Sequence, residues 1–165
     1  AWAGGKSLYS IVATPPAEMD ALQSVPHIDT AKRTDLACVH YLCGAGHGGT
    51  SLYRHRSTGF EIIDTPRQPL YHEQATAEGV LGKSPRTYMN GSDRFFEQVL
   101  SVDARFNRMV VYPGNVLHSG NIAPDFHFDP NPASGRLTLN SFIFGKRELN
   151  AVQPDNVREP PLVSG

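Results

Sequence analysis

The chain alternates between short stretches rich in β-branched and aromatic residues and stretches rich in glycine and proline. Strand-like stretches occupy residues 7–14, 36–42, 50–55, 109–112 and 136–144. Turn-forming residues bound them, such as Pro15 and Pro16 after the first stretch and the glycine-rich residues 44–49 before the third. The pattern predicts a mainly β protein that advances through hairpins.

Helical signals are few. Pro69 can begin a short helix that runs to Leu81 and stops at Gly82. Residues 95–98 are predicted to start as a helix and to pass into a strand near Gln98, although the periodicity of so short a run fits a strand as well. Residues 64–95 as a whole form an irregular insertion, where we expect a lid or substrate-facing residues.

The length of 165 residues is that of one domain. We assign residues 1–149 to this domain. Residues 150–165 contain Pro154, Pro160 and Pro161 and are predicted to form an extended tail. Because the chain begins at Ala1 rather than Met, it is also compatible with a preceding segment that is missing or has been removed.

Charge and hydropathy exclude several classes of function. Fifteen basic and sixteen acidic side chains leave a net charge of −1, so no general field attracts nucleic acid or an anionic membrane. No apolar run reaches the length of a membrane span, and the first residues do not resemble a signal peptide. The expectation is a soluble cytoplasmic protein.

The chain has two cysteines, Cys38 and Cys43. Their separation is odd, so on one continuous strand the two thiols would face opposite sides. We therefore expect no disulfide between them and no secreted cysteine framework.

Candidate metal ligands occur in the run His27-Ile28-Asp29. Side chains two residues apart leave an extended chain on the same face, so His27 and Asp29 can share one coordination sphere. His118 is the best candidate for a third ligand, since it follows the tight turn at Pro113 and Gly114. The alternative is that these residues bind no metal and are ordinary polar residues of strands.

The strand predicted at residues 136–144 carries a candidate for anion binding. Arg136, Thr138 and Asn140 share one of its faces, whereas Leu137 and Leu139 share the other. The Arg136 guanidinium can hold a carboxylate through two parallel hydrogen bonds, and Thr138 can add a hydroxyl. A structural salt bridge at the strand end is the alternative role for Arg136.

The chain order of H-x-D, a distant histidine and an arginine on a strand resembles that of the 2-oxoglutarate- and Fe(II)-dependent dioxygenases, in particular the prolyl-hydroxylase-like branch. The resemblance covers residues 20–145. It implies a double-stranded β-helix, which is a cupin-like jelly roll, with a few short helices. It also implies Fe(II) held by His27, Asp29 and His118, with open positions on the opposite face for the cosubstrate and O₂.

The resemblance further implies an oxidoreductase that couples decarboxylation of 2-oxoglutarate to hydroxylation of a substrate. Arg136 and Thr138 would bind the far carboxylate of 2-oxoglutarate, and Tyr41 stands in a context resembling that of a family tyrosine with the same task. Tyr41 could equally be an ordinary core aromatic residue. The substrate could be an amino acid, a peptide or another small molecule, and the oligomeric state stays open.

Two rival interpretations remain open. Cupins share the architecture and also place Pro-Gly turns before a metal histidine, so a cupin-like metal protein that does not use 2-oxoglutarate is the alternative function. A second H-x-D occurs at His127 and Asp129, but Pro124, Pro130 and Pro132 around it favour a surface loop.

Overall fold

A computed structural model of the protein describes residues 2–146, which form two antiparallel sheets and a few short helices. The strands are β1 (Trp2–Ile11), β2 (Leu36–Tyr41), β3 (Gly49–His55), β4 (Phe96–Asp103), β5 (Met109–Pro113), β6 (His118–Asn121) and β7 (Leu137–Gly145). The helices are α1 (Gln68–Glu78) and α2 (Val80–Lys83), and 3-10 turns cover Pro16–Glu18 and Ala21–Ser24. The mainly β class predicted from the sequence is confirmed.

The strands of the two sheets interleave along the chain. The larger sheet has the order β1-β7-β2-β5, and the smaller sheet has the order β4-β3-β6. An isolated antiparallel bridge joins His27 to His118, at the edge of β6 that does not pair with β3. The region before β2 therefore adds a short extended contact to the free edge of the smaller sheet.

Strand β7 lies inside the larger sheet and carries polar residues toward the space between the sheets. Thr138 pairs with Ser10 on β1 and with Tyr41 on β2, so the side chains of these three residues leave the same face of the sheet. Asn140 lies two residues further along and shares that face. Arg136 immediately precedes the first residue of β7. The alternation expected from the sequence thus places polar side chains at a cavity wall.

A buried apolar cluster packs the smaller sheet against the helices. Its members are Val25, Tyr53, Ile63, Val80, Met89, Phe95, Phe96 and Leu117. Tyr71 and Ala75 of α1 pack on this cluster from the helical side. The cluster joins distant parts of the chain, because its members come from the segment before His27, from β3 and β4, from α2 and from the connections between these elements.

The predicted helix at residues 69–81 is interrupted. Gly79 adopts a left-handed conformation with φ of 70°, and its N–H bonds to carbonyls of the last turn of α1. A glycine tolerates this conformation at a helix end without the steric cost of a side chain. Helix α1 thus stops at Gly79 rather than at Gly82, which lies within α2.

The predicted helical start at residues 95–98 is wrong. Strand β4 begins at Phe96, and both Phe96 and Gln98 pair with residues of β3. Hydrogen bonding to a neighbouring strand decides the conformation of a run whose spacing suits either structure. The prediction for residues 150–165 lies outside the described residues.

The structure bears on two expectations from the sequence, that the cysteines form no disulfide and that no segment spans a membrane. Cys38 and Cys43 are both buried and both free, as expected from their spacing. Within residues 2–146, every helix is too short or too polar to cross a membrane.

Candidate metal centre and cavity

The side chains of His27, Asp29 and His118 converge at one end of a cavity between the two sheets. One potential ligand atom from each lies within 4.8 Å of the others. Nε2 of His118 is 3.5 Å from Oδ2 of Asp29, and the His27 and His118 ring centroids are 4.5 Å apart. The structure therefore brings together the three residues that the sequence singled out, although His118 is remote from the others in the chain.

Backbone pairing brings the two imidazoles together. The N–H of His27 donates to the carbonyl of His118 at 2.9 Å, and the N–H of His118 donates back to the carbonyl of His27 at 2.9 Å. Residues that exchange both hydrogen bonds in an antiparallel pair lie directly opposite each other, with their side chains on one face. The predicted strand at His27 is reduced to this single bridge, because Asp29 already lies in a bend.

Asp29 is fixed by the turn that precedes His118. The N–H groups of Asp29 and Thr30 donate to the carbonyl of Gly114, at 2.8 Å and 3.2 Å. A Cβ atom at Gly114 would lie 2.8 Å from Cγ2 of Thr30, so glycine leaves room for this close approach. The Pro-Gly turn thus positions the carboxylate as well as the second histidine.

The orientation of the His118 ring suits metal binding. Its Nδ1 lies 2.9 Å from the carbonyl of Val116, which accepts a hydrogen bond when Nδ1 is protonated. That tautomer leaves the lone pair of Nε2 directed toward Asp29 and His27. Burial, with a further contribution from the charge of His27, lowers the pKa of His118 to about 4. The imidazole is therefore neutral at pH 7, which is the form that ligates a metal.

The positive charge near the Asp29 carboxylate does not compensate for its burial. Burial raises its pKa, and the nearby charges of His27 and Lys6 only partly oppose that effect. Its side chain is 18% exposed. A bound cation would stabilise the ionised carboxylate. Two imidazoles and one carboxylate on one side of an ion are a donor set for a divalent transition metal with open positions opposite.

The cavity beside the triad has a volume of about 210 Å³. Its wall includes Arg136, Thr138 and Asn140, the three residues predicted to share a face. It also includes Tyr112, whose ring centroid is 4.7 Å from that of His118. The anion-binding candidates and the metal-binding candidates thus line one space.

Arg136 is buried, with 6% of its surface exposed. Its Nε donates to the carbonyl of His47 at 2.9 Å, and its Nη2 donates to the carbonyl of Gly49 at 2.8 Å. Within residues 2–146, no acidic side chain forms an ion pair with it. Burial lowers the pKa of Arg136. The structural salt bridge considered as an alternative is thus absent among these residues, and a cationic group faces the cavity.

The other residues expected near Arg136 differ in their placement. Thr138 lines the cavity, and its hydroxyl makes a long hydrogen bond of 3.4 Å to the carbonyl of Ser10. Tyr41 leaves the same face of the sheet as Thr138 and is fully buried. Its hydroxyl donates to Oγ1 of Thr50 at 2.6 Å, and its ring centroid is 5.6 Å from the Arg136 guanidinium carbon. Thr50, rather than Tyr41, is part of the cavity wall.

Asn140 and Tyr112 line the cavity, and neither was assigned a function from the sequence. Oδ1 of Asn140 is buried and has no hydrogen-bond partner among the described residues. Asn140 lies on the same face of the strand as Arg136 and Thr138, and this two-residue spacing could have predicted that it lines the cavity. Tyr112 could not have been found in this way, because its position depends on the pairing of β5 with β2.

The second H-x-D lies elsewhere. Its segment has no regular secondary structure, and the Asp129 carboxylate accepts hydrogen bonds from the Ser134 hydroxyl at 2.6 Å and from the Asn131 N–H at 2.9 Å. These contacts fix a loop. Among the described residues, the cluster able to hold a metal is the one formed by His27, Asp29 and His118.

Comparison with known proteins gives one family. A model described as "Family of unknown function (DUF6445)" matches residues 2–143. A search of curated proteins gives no match.

Proposed function

Because the chain belongs to this family of unknown function, its chemistry has to be inferred from the site, and we propose that it is an Fe(II)- and 2-oxoglutarate-dependent dioxygenase. In the overall reaction, 2-oxoglutarate, O₂ and a substrate that carries a C–H bond are converted to succinate, CO₂ and a product in which that bond has become C–OH. One oxygen atom enters succinate and the other enters the product. The observation that carries the proposal is the shared cavity of a two-histidine, one-carboxylate triad and a buried arginine.

The order of the strands supports a double-stranded β-helix. If the bridge at His27 is counted as a short strand, the smaller sheet has four members in the order β4-β3-β6-His27. Of the eight elements in chain order, the first, third, sixth and eighth then fall in the larger sheet, and the second, fourth, fifth and seventh fall in the smaller one. Two four-stranded antiparallel sheets of interleaved strands are the arrangement of a jelly roll.

The donor set supports Fe(II) as the metal. His27, Asp29 and His118 would each supply one ligand, and the bound iron would supply reductive activation of O₂. The hydrogen bond from His118 Nδ1 to Val116 holds the ring so that Nε2 faces the ion. The adjoining cavity of about 210 Å³ would supply the space for 2-oxoglutarate and O₂ beside the ion.

Arg136 supports a dicarboxylate as the second component. A buried guanidinium without an acidic partner carries a desolvation cost, which the binding of an anion would offset. A carboxylate in the cavity would receive a charge-assisted hydrogen bond and could also accept one from Thr138. We assign Tyr41 an indirect part, since it stacks on Arg136 and donates to Thr50.

The proposal can be tested by sequential titration. Calorimetry under anaerobic conditions would measure Fe(II) binding and then 2-oxoglutarate binding to the iron-loaded protein, and succinate would be measured after O₂ is admitted. We expect tight Fe(II) binding, 2-oxoglutarate binding that requires the metal, and succinate formation that requires both.

Variants of the triad are compared with a variant of the second H-x-D sequence, which serves as the control. His118→Ala should weaken Fe(II) binding more than about a hundredfold, since even loss of a group that orients a ligand costs 10- to 100-fold. Asp29→Ala should abolish turnover while the fold survives. His127→Ala should change neither. Iron binding without 2-oxoglutarate binding would support the cupin-like alternative, and full Fe(II) affinity in His118→Ala would refute the ligand set.

A further inference from the structure

A second and larger cavity adjoins the metal centre. Its volume is about 630 Å³, and it lies between the 21–28 segment and helices α1 and α2. Leu22 and Val25 form one side, Ala75 and Leu81 form the other, and Leu117 contributes from below. This apolar groove, as we call it, includes part of the region where the sequence predicted a lid or substrate-facing residues.

The side chains around the apolar groove are almost entirely uncharged. Among the described residues that line it there is no aspartate, glutamate, lysine or arginine, and the groups able to make polar contacts are His27, Tyr71, His72 and Thr76. Leu22 is 66% exposed and Leu81 is 48% exposed. Exposed leucines on both sides of a concave apolar surface are typical of a ligand site rather than of an ordinary protein surface.

The apolar groove is continuous with the metal centre through His27. His27 is exposed and is the residue common to the linings of both cavities, and its neighbour Ile28 lines the groove. A molecule lying along the groove would therefore have one end beside His27. This continuity relates the groove to the reaction rather than to an unrelated contact surface.

We propose that the apolar groove holds the uncharged alkyl or acyl chain of a small-molecule substrate, and that a C–H bond of this chain is the one hydroxylated. The inference rests on the proposed function and adds its substrate class. A peptide would suit the groove less well, because its backbone N–H and C=O groups would be buried beside few hydrogen-bonding side chains. An alkyl chain has no such groups and gains from contact with Leu22 and Leu81.

A paramagnetic NMR experiment tests the groove without turnover. The probe is 1-octanol, and its binding is followed by saturation transfer from the protein, loaded with Zn(II) or with Mn(II), to the proton signals of the probe. We expect the probe to bind in both cases, and Mn(II) to broaden the proton signals at one end of its chain much more than at the other. Leu22→Asp and Leu81→Asp should each weaken binding roughly tenfold, since a carboxylate replaces an apolar contact.

Leu70→Asp is the matched control. Leu70 is an exposed leucine of α1 that does not line the apolar groove, so its replacement should leave octanol binding unchanged. Deletion of residues 147–165 gives a further control, and it should leave binding unchanged as well.

The possible failures are distinguishable. Absence of Mn(II) binding would remove the proposed function itself. Mn(II) binding without octanol binding, or octanol binding without paramagnetic broadening, would overturn the substrate class and leave the metal centre standing. Octanol binding that appears only after residues 147–165 are deleted would identify the chain's own terminus as the occupant and overturn the inference.

Discussion

The carbonyl of Gly114 accepts hydrogen bonds from the backbone N–H groups of both Asp29 and Thr30, so the turn before β6 holds the Asp29 segment in place. The contact joins two parts of the chain that contribute different residues to the proposed metal centre, since His118 follows the same turn. A change in the turn should therefore disturb the metal centre without altering any of its three side chains.

Replacement of Gly114 tests this coupling. In Gly114→Ala the new Cβ would approach Cγ2 of Thr30 to 2.8 Å, so the Thr30 side chain, next to Asp29, has to shift. We expect a loss of roughly 1–3 kcal/mol in the free energy of unfolding and weaker metal binding. Urea unfolding and metal titration would measure both. Gly44→Ala is the matched control, because nothing lies within 4 Å of a Cβ at Gly44, and it should leave both quantities unchanged.

Arg136 should govern the binding of 2-oxoglutarate but not of the metal. Arg136→Ala removes the charge that would face the cosubstrate, so its affinity should fall by about one to two orders of magnitude while Fe(II) affinity is kept. The variant also leaves the carbonyls of His47 and Gly49 without their donor, at a cost of about 1–3 kcal/mol in stability.

Two further variants separate charge from folding in that experiment. Arg136→Lys keeps the charge but loses the planar group, so 2-oxoglutarate affinity should be intermediate. Arg56→Ala also removes an arginine that donates to a backbone carbonyl, that of Asp93, but at an exposed site. It should not change 2-oxoglutarate affinity. Equal affinities in the wild type and Arg136→Ala would contradict the assignment.

The buried His55 predicts a loss of stability in acid. His55 is fully buried, with Nδ1 3.0 Å from Oγ1 of Thr58 and Nε2 3.2 Å from Oε2 of Glu78 in α1. Burial lowers the pKa of His55, although the Glu78 carboxylate opposes this effect. The unfolded chain therefore binds a proton at a higher pH than the folded chain does.

The sign of the pH dependence follows from that shift. The contribution of His55 to stability is complete above its unfolded pKa, which is about 6.5, and is lost as the pH falls through that value toward the lower folded pKa. The unfolding free energy should thus fall between pH 7.5 and pH 5.5, and His55→Gln should reduce the dependence. Urea unfolding at the two pH values measures it. His127→Gln, an exposed histidine in a loop, should retain the wild-type dependence, and an unchanged slope in His55→Gln would exclude this explanation.

Patterns of short range determined much of this protein. The alternation of polar and apolar residues located most strands of the larger sheet and put Thr138 and Asn140 on one face of β7. The H-x-D spacing placed the His27 and Asp29 side chains on one side of the chain. These features depend on the two-residue period of an extended backbone, which operates between near neighbours.

The tertiary structure determined which residues the side chains on those faces contact. The pairing of His27 with His118, the contact of Gly114 with Asp29, and the carbonyl partners of Arg136 all join residues far apart in the chain. The Tyr41 hydroxyl donates to Thr50, and Tyr41 does not line the cavity. The apolar groove lies where α1 and α2 face the segment before His27. Such relationships depend on strand register and on the packing of separate elements, which local periodicity does not encode.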